Sequence, residues 1–361
     1  MRNIPVAARE SWSLRLCSVL RGLYLYPSLF TLFKYFAFPR CTLYFGRRGG
    51  RRHVRDLAHE IERRLTLWDV DDVPTLWQEA LASQAIRAVR RSARLIGTQL
   101  PESVARRVEM LVAENDCSKA CNALLSNPPL EPTEDLLAVM SGLHPRNSCT
   151  FDTSNLEDRL ERIPEFTGAE VNEAMLSFKR SSSAGLSGLR PGHILSLLDS
   201  KNAKCLLHIL GVLASRLANF ELPPELAPYL AGASLIAIQK PAGGVRPVAC
   251  GDAIRRLTSK LMLKRVLPLV SPKLLPTQLG ISVPAATEII FHRVASQIAN
   301  STDDQKTFLV LDLKNAFNCI DRSCIMEAVM KYAPSLALFP QDFVLASSSL
   351  PLSKESNRAI P

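Results

Sequence analysis

The sequence predicts a mostly helical α+β protein, and three features of its 361 residues support this fold class. Apolar residues recur every three or four positions between residues 54 and 126, which is the spacing of amphipathic helices. An apolar run, the turn Pro-Ala-Gly-Gly and a returning run predict a β-hairpin over residues 234–250. Residues 308–311 (FLVL) form a short apolar run that predicts a buried strand ending at Asp312.

Composition divides the chain into five segments. Residues 1–53 are expected to be a basic, partly disordered arm, and residues 54–130 a helical N-terminal region. Residues 131–165 are rich in proline and acids and are predicted to be a linker with a short helix. Residues 166–335 hold the hairpin, further helices and the strand before Asp312, and residues 336–361 are expected to be a poorly defined tail.

Positive charge is concentrated at the start of the chain. The net charge is +10, and residues 1–64 hold thirteen Lys or Arg against four acids. This asymmetry favours a polyanionic partner, nucleic acid first and an anionic membrane surface second, with a solvated tail as the alternative. Glycines beside arginines in residues 46–53 suit close phosphate contact. The candidate nucleic-acid-binding residues there are Arg47, Arg48, Arg51 and Arg52.

The cysteines and the apolar N-terminal stretch bear on location. Nine cysteines are scattered without the paired spacing of a zinc site, and Cys117 and Cys121 are expected to be reduced core thiols. We therefore expect an intracellular protein, with the nucleus as a candidate compartment because of the basic runs. Residues 17–45 are apolar, but charges such as Arg21 and Lys34 interrupt every window of about twenty residues. We therefore expect an amphipathic or poorly folded N-terminus in a soluble protein, with a membrane anchor as the alternative, and no membrane among the expected partners.

Asp312 is the candidate metal ligand. Mg²⁺ takes oxygen ligands, usually one or two carboxylates together with phosphate oxygens, and two-metal nucleotidyl transfer needs at least two converging carboxylates. A rigid strand end suits such a ligand, although an aspartate that caps the turn after the strand is the alternative. Asp321 follows that turn and is predicted to cap a helix beginning near Arg322, so it is not counted as a ligand.

Lys240 and Arg246 lie six residues apart on the two arms of the predicted hairpin. They can face one anion, with Arg246 as a bidentate fork and Lys240 as a point charge. Gly243 and Gly244 let the turn close. A solvated basic hairpin is the alternative. Arg190 is a candidate third phosphate contact, or only the residue fixed before a proline.

These stretches resemble a known family. LDLKNAFNCIDR, residues 311–322, resembles the first catalytic motif of the reverse transcriptases of non-LTR retrotransposons. The resemblance implies that Asp312 binds metal and that Phe317 packs against the sugar of the nucleotide. SSSAGLSGLRPGHIL resembles the start of the family's fingers, and LIAIQKPAGGVRPVACGDAIRRLTSK resembles its basic fingers hairpin, which implies that Lys240 and Arg246 contact the triphosphate.

A fourth block, PTQLGISVPAATEIIFHRV, is similar to the family pattern Q-x-G-x-x-x-x-G-x-E-x-x-x-H. It departs from the pattern at the second glycine, where Ala285 or Ala286 stands. Gln278, Gly280, Glu288 and His292 keep the remaining positions.

The resemblance implies the fingers and first palm strand of a right-hand polymerase over residues 166–335, with an incomplete palm. It also implies an RNA template, a DNA primer, deoxynucleotides and Mg²⁺. The sequence after Asp312 lacks the family's aromatic-x-Asp-Asp pair, so we expect a chain truncated after the first catalytic motif and inactive as a polymerase. A non-catalytic RNA- or DNA-binding protein that uses the basic arm and fingers is one alternative, and a helical scaffold with accidental matches is another.

Overall fold

The computed structural model describes residues 3–44, 53–94, 102–113, 117–125, 130, 133–143, 162–240, 243–300, 309–313 and 315–338. The described chain is mostly helical with one two-stranded antiparallel sheet, which confirms the predicted α+β class. The helices are Arg9–Leu25 (α1), Leu29–Thr42 (α2), His53–Asp69 (α3), Val73–Arg94 (α4), Glu102–Ala113 (α5), Cys117–Leu125 (α6), Glu134–Gly142 (α7), Gly168–Leu176 (α8), Pro191–Leu197 (α9), Ala203–Ala218 (α10), Ala227–Ala231 (α11), Ala253–Leu274 (α12), Ala286–Ala299 (α13), Ala316–Cys319 (α14) and Arg322–Tyr332 (α15). The strands are Ala233–Gln239 (β1) and Val245–Gly251 (β2).

The first two helices belong to the main hydrophobic core, which differs from the separate arm predicted for residues 1–53. α1 packs on α2 and α10, and its Trp12 is fully buried. The Trp12 ring lies 4.9 Å from the Phe38 ring of α2, and its indole N–H donates to Thr42 Oγ1 at 2.9 Å. In the apolar stretch 17–45, Tyr35, Phe36 and Phe38 are buried core residues, whereas Tyr26 and Phe30 are exposed. Within the described ranges, no helix is both long enough and apolar enough to cross a bilayer.

The centre of the fold is a group of helices around α10. α1, α8 and α12 all pack against it. The extended chain before α8 runs along α10 and is bonded to its side chains: Phe166 N–H donates to Ser215 Oγ at 2.8 Å, and Ile163 N–H donates to Asn219 Oδ1 at 2.7 Å. These bonds satisfy the backbone of a segment that has no ladder of its own.

Residues 309–313 do not form the predicted buried strand. They have no regular secondary structure, and Leu309, Val310 and Leu311 are at least three-quarters exposed. A strand needs a neighbouring strand to pair its backbone groups, and the only ladder among the described residues is β1–β2. The prediction of a buried strand before Asp312, which the resemblance implies to be the first palm strand, is therefore wrong for residues 309–313. The predicted cap at Asp321 is confirmed, because its side chain accepts the Ser323 N–H at 2.9 Å where α15 begins.

Candidate phosphate-binding site

The predicted hairpin is present as β1–β2. The strands are antiparallel, with Ile238 opposite Arg246. The Lys240 N–H donates to the Gly244 carbonyl at 3.0 Å, which extends the ladder by one pair beyond the strands. Because side chains two residues apart share a face, and directly opposed residues do too, Lys240, Ile238 and Arg246 all lie on one face of the hairpin.

The tip of the hairpin is closed by its glycines. Gly243 N–H donates to the Lys240 carbonyl at 3.1 Å, and Gly243 and Gly244 have φ angles of 86° and 83°. Only glycine adopts such angles without strain. Lys240 and Arg246 are both exposed beside this turn, and neither is ion-paired with a carboxylate of the described residues. The arrangement presents two cations to one side, which suits an anionic group of phosphate size.

The hairpin leads directly into a buried carboxylate at the start of α12. Asp252 is 2% exposed. It accepts hydrogen bonds from the Ile254 N–H at 3.2 Å, from the Ser187 N–H at 3.2 Å, from the Ser187 hydroxyl and from the Tyr35 hydroxyl. Burial, and next the charge of Asp252, raise the pKa of Tyr35 well above its usual value, so Tyr35 stays protonated as the donor. Asp252 therefore joins α2, α12 and the chain before α9.

The loop over residues 184–190, hereafter the clamped loop, lies between α2 and the β2–α12 junction. A Cβ on Gly185 would lie 2.5 Å from the Asp252 backbone N and Cα, so only glycine fits at this contact. From the other side, Arg40 of α2 donates through Nε to the Leu186 carbonyl at 2.8 Å. The serine and glycine residues that resemble the start of the polymerase fingers therefore make a tertiary contact of defined geometry.

Arg190 stands at the N-cap of α9, before Pro191. Its N–H donates to Nδ1 of the buried His193, whose ring meets Trp12 edge-on at 6.3 Å between centroids. Arg190 is half-buried, and its backbone is fixed by this contact. This contact fixes the backbone of Arg190 before Pro191, and a phosphate contact of its side chain stays a prediction.

Asp312 is exposed on the irregular segment 309–313. Among the described residues, no group of three or more His, Cys, Asp or Glu side chains could hold a metal ion. One exposed carboxylate does not fit the Mg²⁺ centre that the resemblance implies. The side chain of Phe317 and the residues Arg47, Arg48, Arg51 and Arg52 lie outside the described part of the structure.

The fourth sequence block forms the turn before α13 and the helix itself. Gly280 N–H donates to Gln278 Oε1 at 2.8 Å, and Glu288 and His292 lie on one side of α13 along a shallow open groove. Ala285, the N-cap of α13, has φ 54° and ψ 30°. In this left-handed conformation a glycine would be less strained than the alanine present.

Sequence reasoning missed the residues that hold the site together. Asp252 had a usable signal, because an aspartate between a strand and an apolar-periodic segment is a typical N-cap. Tyr35 and Ser187 gave no such signal, since their partner Asp252 lies 217 and 65 residues away in sequence.

The prediction that Cys117 and Cys121 are core thiols is wrong, because both are exposed. All cysteines among the described residues are free thiols, as predicted.

Comparison of the chain with protein-family models, with curated proteins and with solved structures finds no match. The chain is therefore characterised by its own residues and geometry.

Replacing Tyr35 with Phe should destabilise the protein by about 1–3 kcal/mol at pH 7, because Asp252 loses a buried donor. The folded-state pKa of Tyr35 is raised above its ordinary value of 10.0, so this contribution is complete below pH 10 and declines at higher pH. Urea unfolding from pH 7 to 11 measures the free energy of unfolding of both proteins. The difference between wild type and Tyr35→Phe should become smaller above pH 10. Tyr26→Phe, at a side chain 73% exposed, is the control. A gap that is absent at pH 7 would contradict the role of the contact.

Replacing Ala285 with Gly should stabilise the protein by about 0.5–1 kcal/mol, because relief of the left-handed strain exceeds the added backbone entropy of the unfolded chain. Ala286→Gly, one residue on and inside α13, should destabilise by a similar amount. Thermal unfolding of both variants measures the difference. If both variants change the unfolding temperature equally and in the same direction, Ala285 is not strained.

Proposed function

We propose that this protein is a reverse-transcriptase-like nucleotide- and nucleic-acid-binding protein of non-LTR retrotransposon type. The observation that carries the proposal is the pair of exposed cations, Lys240 and Arg246, on one face of a hairpin closed by two glycines. Its sequence context is the ordered series of four blocks that resemble the family. The triphosphate of an incoming deoxynucleotide is the proposed ligand of this face.

The remaining parts of the proposal follow from the same resemblance. RNA template and DNA primer are the proposed macromolecular partners, and the polyanion preference of a chain with net charge +10 supports them. Asp312 is proposed, by the resemblance alone, as a carboxylate that would contact Mg²⁺ only together with further carboxylates. An intracellular, nuclear location is proposed from the basic runs of the sequence and from the same resemblance.

Binding without polymerisation is the form of the function that the geometry supports best. The hairpin is held by the buried Asp252 contact, whereas Asp312 lies on an exposed irregular segment. Phosphate binding requires only the cations and their positions, but two-metal catalysis requires several carboxylates in one place. We therefore propose that these 361 residues bind nucleotide and nucleic acid and do not extend a primer.

Loss of either hairpin cation should weaken triphosphate binding roughly 10- to 100-fold, the effect of losing about 1.5–3 kcal/mol of charged hydrogen bonding. Fluorescence titration with a labelled deoxynucleoside triphosphate measures this for Lys240→Ala and Arg246→Ala. Arg246→Lys should give an intermediate loss, because it keeps the charge and loses the bidentate fork. Lys204→Ala, an exposed lysine of α10, should bind like wild type. Unchanged binding in both hairpin variants would leave the accidental-match scaffold as the better description.

In a primer-extension assay with an RNA template, Mg²⁺ and all four deoxynucleotides, wild type and Asp312→Asn should both give no product. The reason is that one carboxylate cannot organise two metal ions. Product formed by wild type and lost in Asp312→Asn would contradict the non-catalytic proposal and identify Asp312 as a metal ligand. An active reverse transcriptase in the same mixture shows that the template is usable.

A further inference from the structure

Two cysteines from different helices meet where α1 packs against α10. Cys17 of α1 is 4% exposed and belongs to the main core, and Cys205 of α10 is half-buried at the edge of that core. Both are free thiols, and their side chains interact directly through a hydrogen bond. Because the two residues are far apart in sequence, only the packing of α1 on α10 brings them together.

The register of the two helices is fixed by hydrogen bonds on both sides of the cysteines. Before them, the Asn202 side-chain N–H donates to Ser13 Oγ at 3.0 Å. After them, the Arg216 guanidinium donates to the Tyr24 carbonyl. α1 and α10 therefore run side by side in the same direction, and these bonds keep the two thiols at the same level along the contact.

Arg21 marks the side from which solvent reaches the pair. It lies one helical turn after Cys17 on the same face of α1, and its Nη2 donates to the Cys205 sulfur at 3.4 Å. Arg21 is exposed, and Cys205 is the third residue of α10. A cation or a helix N-terminus beside a sulfur favours the thiolate, which is the form that attacks peroxides. The surroundings of Cys205 thus combine partial access to solvent with positive charge.

The surroundings of Cys17 are different. Burial, and next the neighbouring Cys205 sulfur, raise the pKa of the Cys17 thiol above its ordinary value. Cys17 therefore stays protonated and shielded from solvent at neutral pH, so it does not react first with a dissolved oxidant. Its contact with Cys205 nevertheless gives it a high effective concentration toward that sulfur. An accessible thiol with a second thiol held beside it can pass from a sulfenic acid to a disulfide.

We infer that Cys205 is a site of reversible oxidation by hydroperoxides, and that Cys17 is the thiol that converts the oxidised Cys205 into a disulfide joining α1 to α10. The inference goes beyond the proposed function and does not depend on it, because none of the described contacts of this pair involves the hairpin. The site takes a small peroxide as its substrate and a dithiol as the reductant that restores it.

The reaction has two steps. In the first, the Cys205 sulfur attacks one oxygen of hydrogen peroxide, an S–O bond forms, the O–O bond breaks, and the leaving hydroxide takes up the thiol proton to give water. In the second, the Cys17 sulfur attacks the Cys205 sulfur, an S–S bond forms, the S–O bond breaks, and the hydroxide leaves as water with the Cys17 proton. The two sulfurs together lose two electrons, and the peroxide gains them.

The test treats the full chain with a small molar excess of hydrogen peroxide, blocks the remaining thiols with N-ethylmaleimide, and maps the unreduced tryptic digest by mass spectrometry. Trypsin releases Cys17 in residues 16–21 (LCSVLR) and Cys205 in residues 205–216 (CLLHILGVLASR), with one cysteine in each peptide. We expect these two peptides to be linked in a protein that runs as a monomer without reductant, and dithiothreitol to separate them.

Variants assign the role of each group. Cys17→Ala should accumulate a sulfenic acid on Cys205 that dimedone traps, and Cys205→Ser should leave Cys17 unoxidised. Arg21→Gln should form the cross-link roughly tenfold more slowly, because the reacting sulfur loses a charged hydrogen bond, and Arg21→Lys should recover most of the rate. Arg180→Gln removes the same charge from an exposed arginine elsewhere and should react at the wild-type rate.

Three results would overturn the inference. The first is a wild-type map in which both peptides stay unlinked while the exposed Cys117 and Cys121 are oxidised. The second is a link that joins two chains and not one. The third is a sulfenic acid that persists on Cys205 of the wild type. Equal rates for Arg21→Gln and Arg180→Gln would remove Arg21 from the site. Because the wild-type map contains no substitution, it decides the matter even if Cys17→Ala fails to fold.

Discussion

The buried carboxylate of Asp252 is the interaction on which the rest of this structure depends. An ionised carboxylate without partners is strongly disfavoured in a protein interior. Here four donors from three separate parts of the chain surround it: the Tyr35 hydroxyl of α2, the Ser187 N–H and hydroxyl of the clamped loop, and the Ile254 N–H of its own helix. Because removing any donor leaves a charge less well compensated, the three elements are coupled, and their relative positions follow from one residue.

The candidate functional groups lie on the elements that this contact fixes. β2 ends at Gly251, directly before Asp252, so the hairpin that carries Lys240 and Arg246 continues into the buried contact. On the other side, α12 begins at Ala253, directly after Asp252, whose side chain caps that helix. Sites on supported elements hold their geometry better than sites on isolated loops. The hairpin and its two exposed cations are therefore part of one supported unit.

Local features of this fold were predictable from sequence, and long-range ones were not. The hairpin and the Asp321 cap depend on turn and capping residues within a few positions, and both are present. The prediction of a separate arm over residues 1–53 differs from the structure because net charge is an average: four arginines are clustered at residues 47–52, while α1 and α2, which carry the others from Arg9 to Arg40, also have buried faces. The strand at 308–311 was predicted from apolar character alone, but a strand exists only with a pairing partner, which a local pattern does not contain. The role of Tyr35 could not be predicted for a similar reason, since its hydrogen-bond partner Asp252 is 217 residues away in sequence.

Binding and catalysis make different demands on a structure, and the proposed function separates the two. Each phosphate contact of a lysine or arginine contributes on its own, so a surface with a few well-placed cations already binds. A two-metal centre contributes nothing until several carboxylates converge, because the members of such a set act as a unit. Lys240 and Arg246 meet the first demand through a hairpin held at Asp252, and the described contacts of that hairpin do not involve residues 309–313. Asp312 lies between exposed leucines, and none of the contacts described for residues 309–313 ties it to the Asp252 contact. Under the proposed function, the physical requirement is therefore met at the hairpin and not at the described surroundings of Asp312.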